Sequence, residues 1–304
     1  MSDNLMSLAD LATLNDANLA QLDITNLLQD APVLAALNAK VASNGTVHKY
    51  FATTTAPLVA FRAVNAGRDH DSTTRSESTV DLKVLDCSFT VDTAITNGAT
   101  RGPEEIIRME AMEHLRAGMF MLELQIMNGT VNLGQSTGFA GLAPGSTTVQ
   151  VLGGGSTALT SVYAIRTGDN DVSVVLGNDG RIDVGQSAIQ RVTAAGGGYF
   201  NAWCTMIQAW YGIQIGSLYS SGRLSNIDAG SNKLTDDKIY SLLEKFPSSR
   251  QPDMLIMNRR SLEQLRASRT ATNATGADAP RPTEIEGIPI IVTDALGITE
   301  TAVT

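Results

Sequence analysis

The sequence has little of the chemistry on which secreted, metal-binding or membrane-spanning proteins depend. Its two cysteines, Cys87 and Cys204, are too few for a disulfide framework, so we expect free thiols in a reducing compartment. The Asp-His-Asp tripeptide at 69–71 has no second histidine at helical spacing and is a weak metal site. No apolar run is long enough to cross a membrane, because Glu123 interrupts the best candidate, and we see no signal-peptide pattern.

Positive charge is also scarce. The chain carries 22 lysine and arginine residues against 31 aspartate and glutamate residues, a formal net charge of −9. A dominant nucleic-acid-binding surface needs a basic face, and the sequence has no basic arm and no long run of lysine or arginine. With 43% hydrophobic residues, the chain can bury a sizeable core in one large or two modest domains.

A catalytic constellation is missing as well. Residues 134–138 match the G-x-S-x-G nucleophile pattern, but a strand should precede Ser136 and a helix should follow it, and residues 139–144 do not look like a helix start. That fold also needs a later histidine, and all three histidines come earlier. The glycine triplets at 153–155 and 196–198 lack the Gly-Lys-Ser/Thr of a phosphate loop and indicate flexible loop tips. We therefore predict no catalytic, cofactor-binding or metal-binding residues.

One long helix is predicted over residues 103–128. Pro103 suits the first helical position, Glu104 suits the positive end of the helix dipole, and Asn128-Gly129 supplies the stop. At about 1.5 Å per residue the helix spans about 38 Å. Apolar residues recur at steps of three and four and predict a single apolar stripe: Met109, Met112, Leu115, Met119, Leu122 and Ile126.

Residues 1–45 are rich in leucine and alanine and contain almost no lysine or arginine. Leucines recur every three residues from Leu8 to Leu14, and a second apolar series follows Pro32. We therefore expect two short amphipathic helices separated near Pro32. Because little here could hold the segment to a sheet of its own domain, we interpret it as a mobile or partner-docked arm.

Residues 46–96 favour strand. Two stretches rich in Thr, Val, Phe and Tyr, at 47–64 and 79–95, flank a polar tract, which indicates a long β-hairpin with a charged, flexible tip. Strands of about 13 residues reach roughly 43 Å, whereas a compact chain of this length has a radius of gyration of about 19 Å. Because a two-stranded ribbon is marginally stable alone, we expect it to project and to lie on a neighbouring copy. The alternative is two unrelated short strands folded into the core.

Residues 147–228 are predicted to be mainly strand and turn. A turn signal, Asn178-Asp179-Gly180, separates two of the candidate strands. Residues 199–216 are apolar on both faces, which is typical of a strand buried on both sides. The short candidate strands lie at 161–166, 172–177 and 181–186.

The last part of the chain alternates between helix and strand. Thr235 is placed to cap a helix with a buried face of Ile239, Leu242, Leu243 and Phe246. A strand at 253–258, a helix at 259–268 and a closing strand at 287–296 follow. The whole order shows no regular βαβα alternation, so the predicted fold class is α+β.

Several stretches resemble, in order and spacing, the major capsid protein of tailed bacteriophages, the Hong Kong 97-type shell fold. PLVAFRAVNAG at 57–67 resembles the extended-loop strand of that family, and residues 79–95 resemble its returning strand. The 103–128 helix resembles its spine helix, which is followed here by GFAGLAP at 138–144. Further similar stretches are WYGIQIGSLYSSGRLSNID, DMLIMNRRSLEQLR and EGIPIIVTDAL.

The resemblance implies a division into five parts and a structural function. The parts are an N-terminal arm (1–45), an extended β-hairpin loop (46–96), a peripheral domain with the spine helix (97–145), a mainly axial domain (146–283) and a closing strand with the C-terminus (284–304). It implies no catalysis and no cofactor. The chain would self-assemble, in the host cytoplasm, into the icosahedral head shell of a virion, enclosing double-stranded DNA without sequence-specific binding and without a membrane.

The implied partners are other copies of the chain, in hexamers and pentamers. Portal, scaffold and decoration proteins stay open as further partners. Residues 1–45 are too short for a built-in scaffolding segment, which implies a separate scaffold protein or none. Lys49 and Lys83 lie in or near the hairpin, but nothing identifies an asparagine partner, so covalent cross-linking is not predicted.

Two alternatives stay open at this point. One is an encapsulin-type nanocompartment, which has the same fold and holds cargo enzyme in place of DNA. The other is a serine hydrolase that uses Ser136. Neighbouring genes would separate the first alternative from a phage coat, and labelling of Ser136 with a fluorophosphonate would test the second.

Overall fold

The computed structural model describes residues 31–55, 57–67, 72–100, 102–146, 149–194, 196–273 and 277–303. The helices in these ranges are α1 (Pro32–Ala36), α2 (Thr93–Gly98), α3 (Pro103–Asn128), α4 (Leu142–Gly145), α5 (Asp236–Leu243) and α6 (Arg259–Ala271). Among the described residues, no helix has the length and apolarity that crossing a membrane requires.

Of the first eight described strands, five precede the long helix in the chain and three follow it. They are β1 (Asn38–Val41), β2 (Val47–Thr55), β3 (Thr74–Asp81), β4 (Lys83–Asp86), β5 (Phe89–Asp92), β6 (Val149–Leu152), β7 (Thr160–Ile165) and β8 (Val172–Leu176). The later strands are β9 (Asp183–Val184), β10 (Ala188–Thr193), β11 (Tyr199–Thr205), β12 (Ile207–Ile215), β13 (Ser221–Ile227), β14 (Met254–Met257), β15 (Glu284–Ile285) and β16 (Ile288–Val292).

The strands form three sheets and one ribbon. A five-stranded sheet has the order β1-β8-β12-β4, with β9 also paired to β12, and a three-stranded sheet has the order β10-β11-β5. A six-stranded mixed sheet has the order β15-β16-β14-β7-β13-β6, and β2 pairs with β3 alone. Helices and sheets are thus mixed without a repeating βαβ unit, which confirms the α+β prediction.

The six-stranded sheet is covered on both faces. On one face α5 and α6 pack against Leu224, Leu255 and Met257, which are all buried. The Thr235 hydroxyl accepts from the Lys238 N–H at 3.4 Å and caps α5, as predicted. On the other face Tyr163 and its neighbours meet the carboxyl-terminal part of α3.

The long helix has the predicted bounds, but its predicted stripe is only partly buried. Gly129, with φ +62°, ends it, since the left-handed region suits glycine. Leu122 and Ile126 are buried, as predicted, but Met112 and Met119 stay exposed. The reason is that the last two turns enter the core on all sides, whereas the first part of the helix lies on the surface of the smaller sheets.

The described part of the N-terminal segment, residues 31–45, is held by its own subunit, so over these residues it is not the mobile or partner-docked arm that was predicted. Val33 is fully buried, and residues 38–41 form a parallel strand beside β8 where a longer amphipathic helix was expected. The pairing partner lies more than 130 residues away in sequence, and local periodicity carries no sign of it. The predicted helix near Leu8–Leu14 lies outside the described residues.

The hairpin exists but is shorter than predicted. Strands β2 and β3 pair from Val47 opposite Asp81 to Thr55 opposite Thr74, so its arms of nine and eight residues reach about 30 Å. The returning stretch then leaves the ribbon, because β4 pairs with β12 and β5 pairs with β11 in the body. The charged tip at 68–71 lies outside the described residues.

Three further predictions need correction. Residues 199–216 form two strands in two different sheets, and the break falls at the exposed Met206. The turn at 178–180 is present, but β8 and β9 on either side pair with β12 and not with each other. The triplet at 153–155 is no open loop tip, because its first and third N–H groups donate to the Ser225 and Asn226 carbonyls at 2.7 and 2.8 Å.

Candidate assembly surfaces

The G-x-S-x-G match at 134–138 is a loop folded around an amide side chain. Ser136 is exposed in a turn with no strand before it. Gln125 Nε2, on α3, donates to the Phe139 carbonyl at 2.8 Å, and Gln125 Oε1 accepts from the Gln135 N–H at 2.8 Å. The last glycine of the motif lies so close to this amide that a Cβ would overlap it. The glycines therefore serve packing, and the motif lacks the geometry of a nucleophile elbow.

The residues after this motif differ from the prediction in one respect. We expected no helix start at 139–144, but α4 forms a single helical turn there. Leu142 and Ala143 are buried against the core, and this packing stabilises the turn. The turn begins six residues after Ser136, so it does not present the serine as an elbow does.

Two of the three histidines are engaged at other places. His48 bonds to the Ser43 N–H and to the side chain of Gln214. His114 lies against Phe89, with ring centroids 5.2 Å apart. The third histidine, in the tripeptide 69–71, lies outside the described residues. Within the described ranges, no three His, Cys, Asp or Glu side chains are grouped so that they could hold a metal ion.

The two cysteines carry free thiols in a half-buried environment. Burial raises the pKa of the Cys87 thiol, and the negative charge of Asp86 raises it further. Burial also raises the pKa of Cys204. A raised pKa leaves little thiolate at neutral pH, so neither sulfur is activated as a nucleophile.

An unusual apolar surface lies on the hairpin. Residues 57–67 form neither helix nor strand, and their large apolar side chains point into solvent. Phe61 is fully exposed, at 107% of its reference area. The exposed apolar residues of this surface, here called the hairpin surface, are Phe51, Leu58, Val59, Phe61 and Val64. A soluble monomer rarely exposes such a group of side chains, so this surface marks an interaction site.

The hairpin is attached to the body at its base. The Tyr50 hydroxyl donates to the Ile215 carbonyl at 2.9 Å, and the Leu82 N–H donates to the Thr46 carbonyl at 3.1 Å. His48 is buried beside these contacts, whereas most described residues beyond it, towards the tip, are exposed. The hairpin therefore extends away from its own subunit and can reach another surface.

Glu123 connects three distant parts of the chain through hydrogen bonds. This connecting role was not predicted from the sequence. It is completely buried, and its carboxylate accepts hydrogen bonds from the Val33 and Leu34 N–H groups and from the Thr293 hydroxyl. Burial raises the pKa of this carboxyl, against the lowering effect of these hydrogen bonds. The sequence signal was present, since a single acidic residue that interrupts an apolar run indicates a buried, paired carboxylate.

The C-terminal segment is also tied into the body through a buried charge. The Arg223 Nη2 atom lies 3.0 Å from Glu300 Oε2, and their side chains are 6% and 2% exposed. The backbone N–H of Val303 donates to Asn226 Oδ1 at 2.9 Å. Nothing in the sequence pattern pointed to this pair, because the two residues are 77 positions apart and each looks like an ordinary charge.

Comparison with known proteins gives one family and several similar folds. A family model described as major capsid protein GP7 matches residues 16–304. No curated protein matches the chain. A chain from the structure of bacteriophage Epsilon15 superposes with a TM-score of 0.72 at 17% identity, covering 100% of this chain and 98% of its own.

Two other solved structures share the architecture at lower similarity. The bacteriophage JBD30 capsid matches with a TM-score of 0.52 at 11% identity, covering 95% of this chain and 99% of that one. The SrpI encapsulin of Synechococcus elongatus PCC 7942 matches with a TM-score of 0.50 at 10% identity, covering 74% of this chain and 98% of that one. These likenesses show the fold, and they do not by themselves separate a phage coat from an encapsulin.

The family match, made over nearly the whole length, favours the phage coat. It also agrees with the exposed hairpin surface, since a shell subunit needs apolar surface to offer to its neighbours. The chain belongs to the GP7 family of major capsid proteins and is a structural subunit of a capsid shell.

Proposed function

We propose that copies of this chain join in the shell by laying the hairpin of one subunit over the body of the next. The observation that carries this proposal is the hairpin surface. Phe61 is fully exposed there, on a hairpin that its own subunit does not cover. Covering apolar surface contributes about 25 cal/mol per Å². A neighbouring copy is the partner available at every position of a shell.

The stability of the shell would come from the number of contacts and not from the strength of one. A single pairing of millimolar affinity is worth about −4 kcal/mol. When such contacts close into rings and then into a shell, each later contact is intramolecular and the assembly is far more stable than any pair. We take hexamers and pentamers as the units, with portal, scaffold and decoration proteins as further partners of those units.

Within one subunit we propose the five-part division: arm (1–45), extended loop (46–96), peripheral domain (97–145), mainly axial domain (146–283) and closing segment (284–304). The described end of the arm is anchored in its own subunit through Val33 and Glu123. In the extended loop, the paired ribbon ends at Asp81.

We further propose that the shell encloses double-stranded DNA without base-specific contacts and that assembly takes place in the host cytoplasm. The net charge of −9 supports a wall that does not grip phosphate and so lets the genome move. Binding of purified subunit to DNA should be weak at all salt concentrations. Tight binding that falls steeply as salt rises would contradict this part of the proposal.

The central test compares the free and the assembled subunit by hydrogen exchange. The protein is expressed alone and inspected by electron microscopy for closed shells or rings of six and five. If the hairpin lies on a neighbour, amides of residues 57–67 exchange more slowly in the assembled fraction than in the free one. The buried strand β7 (Thr160–Ile165) is the internal control, because its protection should not change. Equal exchange of 57–67 in both fractions would remove the hairpin contact, and failure to assemble at any concentration would count against a self-assembling coat.

A further inference from the structure

A tight turn joins β1 to the hairpin and is closed by two side chains. Asn44 and Val47 exchange backbone hydrogen bonds at 3.0 and 2.8 Å. Ser43, directly before the turn, accepts from the Lys49 N–H at its Oγ at 2.9 Å. The Ser43 N–H donates to Nδ1 of His48 at 3.1 Å. Ser43 and His48 therefore close the turn from which the hairpin leaves the body, beside the contacts of Tyr50 and Leu82 at its base.

The hydrogen bonds of His48 define a neutral ring. Because Nδ1 accepts an N–H, the single ring proton is on Nε2, which donates to Gln214 Oε1 at 2.9 Å. The side chain is 8% exposed, so both nitrogens depend on these protein partners. A second proton would have to be placed on Nδ1, where it would face the Ser43 N–H, donor against donor.

A positive ring would also meet another positive charge. The Lys40 ammonium, on β1, donates to the same Gln214 Oε1 and to the Asp169 carbonyl, the latter at 3.1 Å. Asp169 offsets the positive charge of Lys40 only in part. Its backbone carbonyl accepts from the ammonium, but its carboxylate accepts from Asn38 Nδ2 at 2.7 Å.

The remaining groups around the ring offer little compensation. Gln214 Nε2 donates to the carbonyls of Asp169 and Asp171 at 3.0 and 3.4 Å, so the amide is fixed with its oxygen towards the ring. The Asp171 carboxylate is paired with Arg166 at 3.1 Å. On the hairpin side the neighbour is the ring of Tyr50, stacked with centroids 6.1 Å apart.

We propose that His48 is an acid-sensitive pin: the neutral ring holds the turn at 43–48 closed, and its protonation opens the turn and lets the hairpin change direction. Where the hairpin lies on a neighbouring copy, acid would then weaken the contact between copies, a consequence that rests on the function proposed above. The pin itself does not depend on that function and is tested in the single chain.

The effect of pH has a definite sign. Burial lowers the pKa of His48 from its ordinary value of 6.5, the hydrogen bond to Gln214 raises it, and the charge of Lys40 lowers it. The net lowering means that the open turn binds a proton more readily than the closed one. The closed turn is therefore most stable above the ordinary pKa and loses stability as the pH falls below it.

The test measures hydrogen exchange of the full chain, kept unassembled at low concentration, at about pH 7 and about pH 5. After correction for the intrinsic exchange rate, amides of 43–55 and 74–81 should open more at the lower pH. A histidine that stays neutral in the closed state limits this increase to about 25-fold. His48→Asn, whose Oδ1 can accept from Ser43 and cannot titrate, should abolish the increase.

Two further variants keep the test decisive. His114→Gln removes a histidine far from the turn and should respond to acid as the unmodified chain does. Lys40→Met removes the competing cation and should reduce the response, which covers the case in which His48→Asn does not fold. An unmodified chain without an acid response, or an equal response in His48→Asn, would overturn the proposal.

Discussion

The carboxylate of Glu123 accepts a hydrogen bond from the backbone N–H of Val33 at 2.8 Å, although the two residues are 90 positions apart. Both are completely buried. The same oxygen accepts from the Leu34 N–H at 3.2 Å, and the other oxygen accepts from the Thr293 hydroxyl. One carboxylate thus joins the start of α1, the last two turns of α3 and the segment after β16.

Removal of this carboxylate should be costly. In Glu123→Ala the N–H groups of Val33 and Leu34 lose their partner in the interior, and we expect the free energy of unfolding to fall by about 3 kcal/mol. Guanidinium titration measures this free energy of unfolding. Glu113→Ala is the matched control on the same helix, because Glu113 pairs only with the exposed Arg116 and should cost at most about 0.5 kcal/mol. Equal losses in the two variants would show that the Glu123 contacts are not stabilising.

The same residue gives a prediction for pH. Burial raises the pKa of Glu123 above its ordinary value of 4.5, so the folded chain holds this proton more tightly than the unfolded chain does. The contribution is complete below 4.5 and is lost as the pH rises through the folded-state pKa. The stability of the unmodified chain relative to Glu123→Gln should therefore fall as the pH rises above about 4.5. A difference that stays constant with pH would contradict the raised pKa.

Gly118, in the middle of α3, is predicted to resist substitution despite the usual gain from alanine in a helix. A Cβ there would overlap Cys87 Sγ. Alanine gains about 1 kcal/mol in helix propensity, but overpacking costs about 1–3 kcal/mol, so Gly118→Ala should lower stability. In a Cys87→Ala background the same change should raise it. Thermal or guanidinium unfolding of the unmodified chain, the two single variants and the double variant measures the coupling, and a stabilised Gly118→Ala single variant would contradict the contact.

Elements with local signals could be predicted from the sequence, and elements with distant partners could not. The bounds of α3 and the start of α5 follow from Pro103, Gly129 and Thr235, which act within a few residues of themselves, whereas α5 ends at Leu243, before the predicted Phe246. Strand β1 depends on β8, and β5 depends on β11, each more than 100 residues away. Strand propensity in residues 57–64 was misleading for a related reason, since propensity does not form a strand without a pairing partner.

The candidate site divides in the same way. A projecting hairpin was expected from the size of the predicted ribbon, but its exposed apolar residues at 57–64 were assigned to a strand. Glu123 had a local signal, because it is an acidic residue within an apolar run, but His48 and Arg223 had none, because their burial follows only from distant partners. Gln214, which holds both His48 and Lys40, has no distinguishing sequence context at all.

The buried pair Arg223–Glu300 is expected to couple strongly. Glu300→Ala leaves a guanidinium without its carboxylate at 6% exposure and should lower the free energy of unfolding by about 3–5 kcal/mol. The double variant with Arg223→Met and Glu300→Leu should lose less free energy of unfolding than the summed losses of these two changes made singly. The reason is that the double variant leaves no charge unpaired. Glu263→Ala, which breaks a longer contact of 4.0 Å to Arg266, is the exposed control. Additive losses in guanidinium titrations would show that the pair does not act as a unit.

Phe61 provides the prediction that links the hairpin to assembly. It is fully exposed in the single chain, so Phe61→Ser should change the free energy of unfolding by no more than about 0.5 kcal/mol. If the side chain is covered by a neighbour, each copy loses about 2 kcal/mol of burial, repeated around the shell. Light scattering should then show assembly only at higher protein concentration, while Tyr240→Ser on α5 should assemble as the unmodified chain does. Unchanged assembly of Phe61→Ser would mean that this aromatic is not part of the contact.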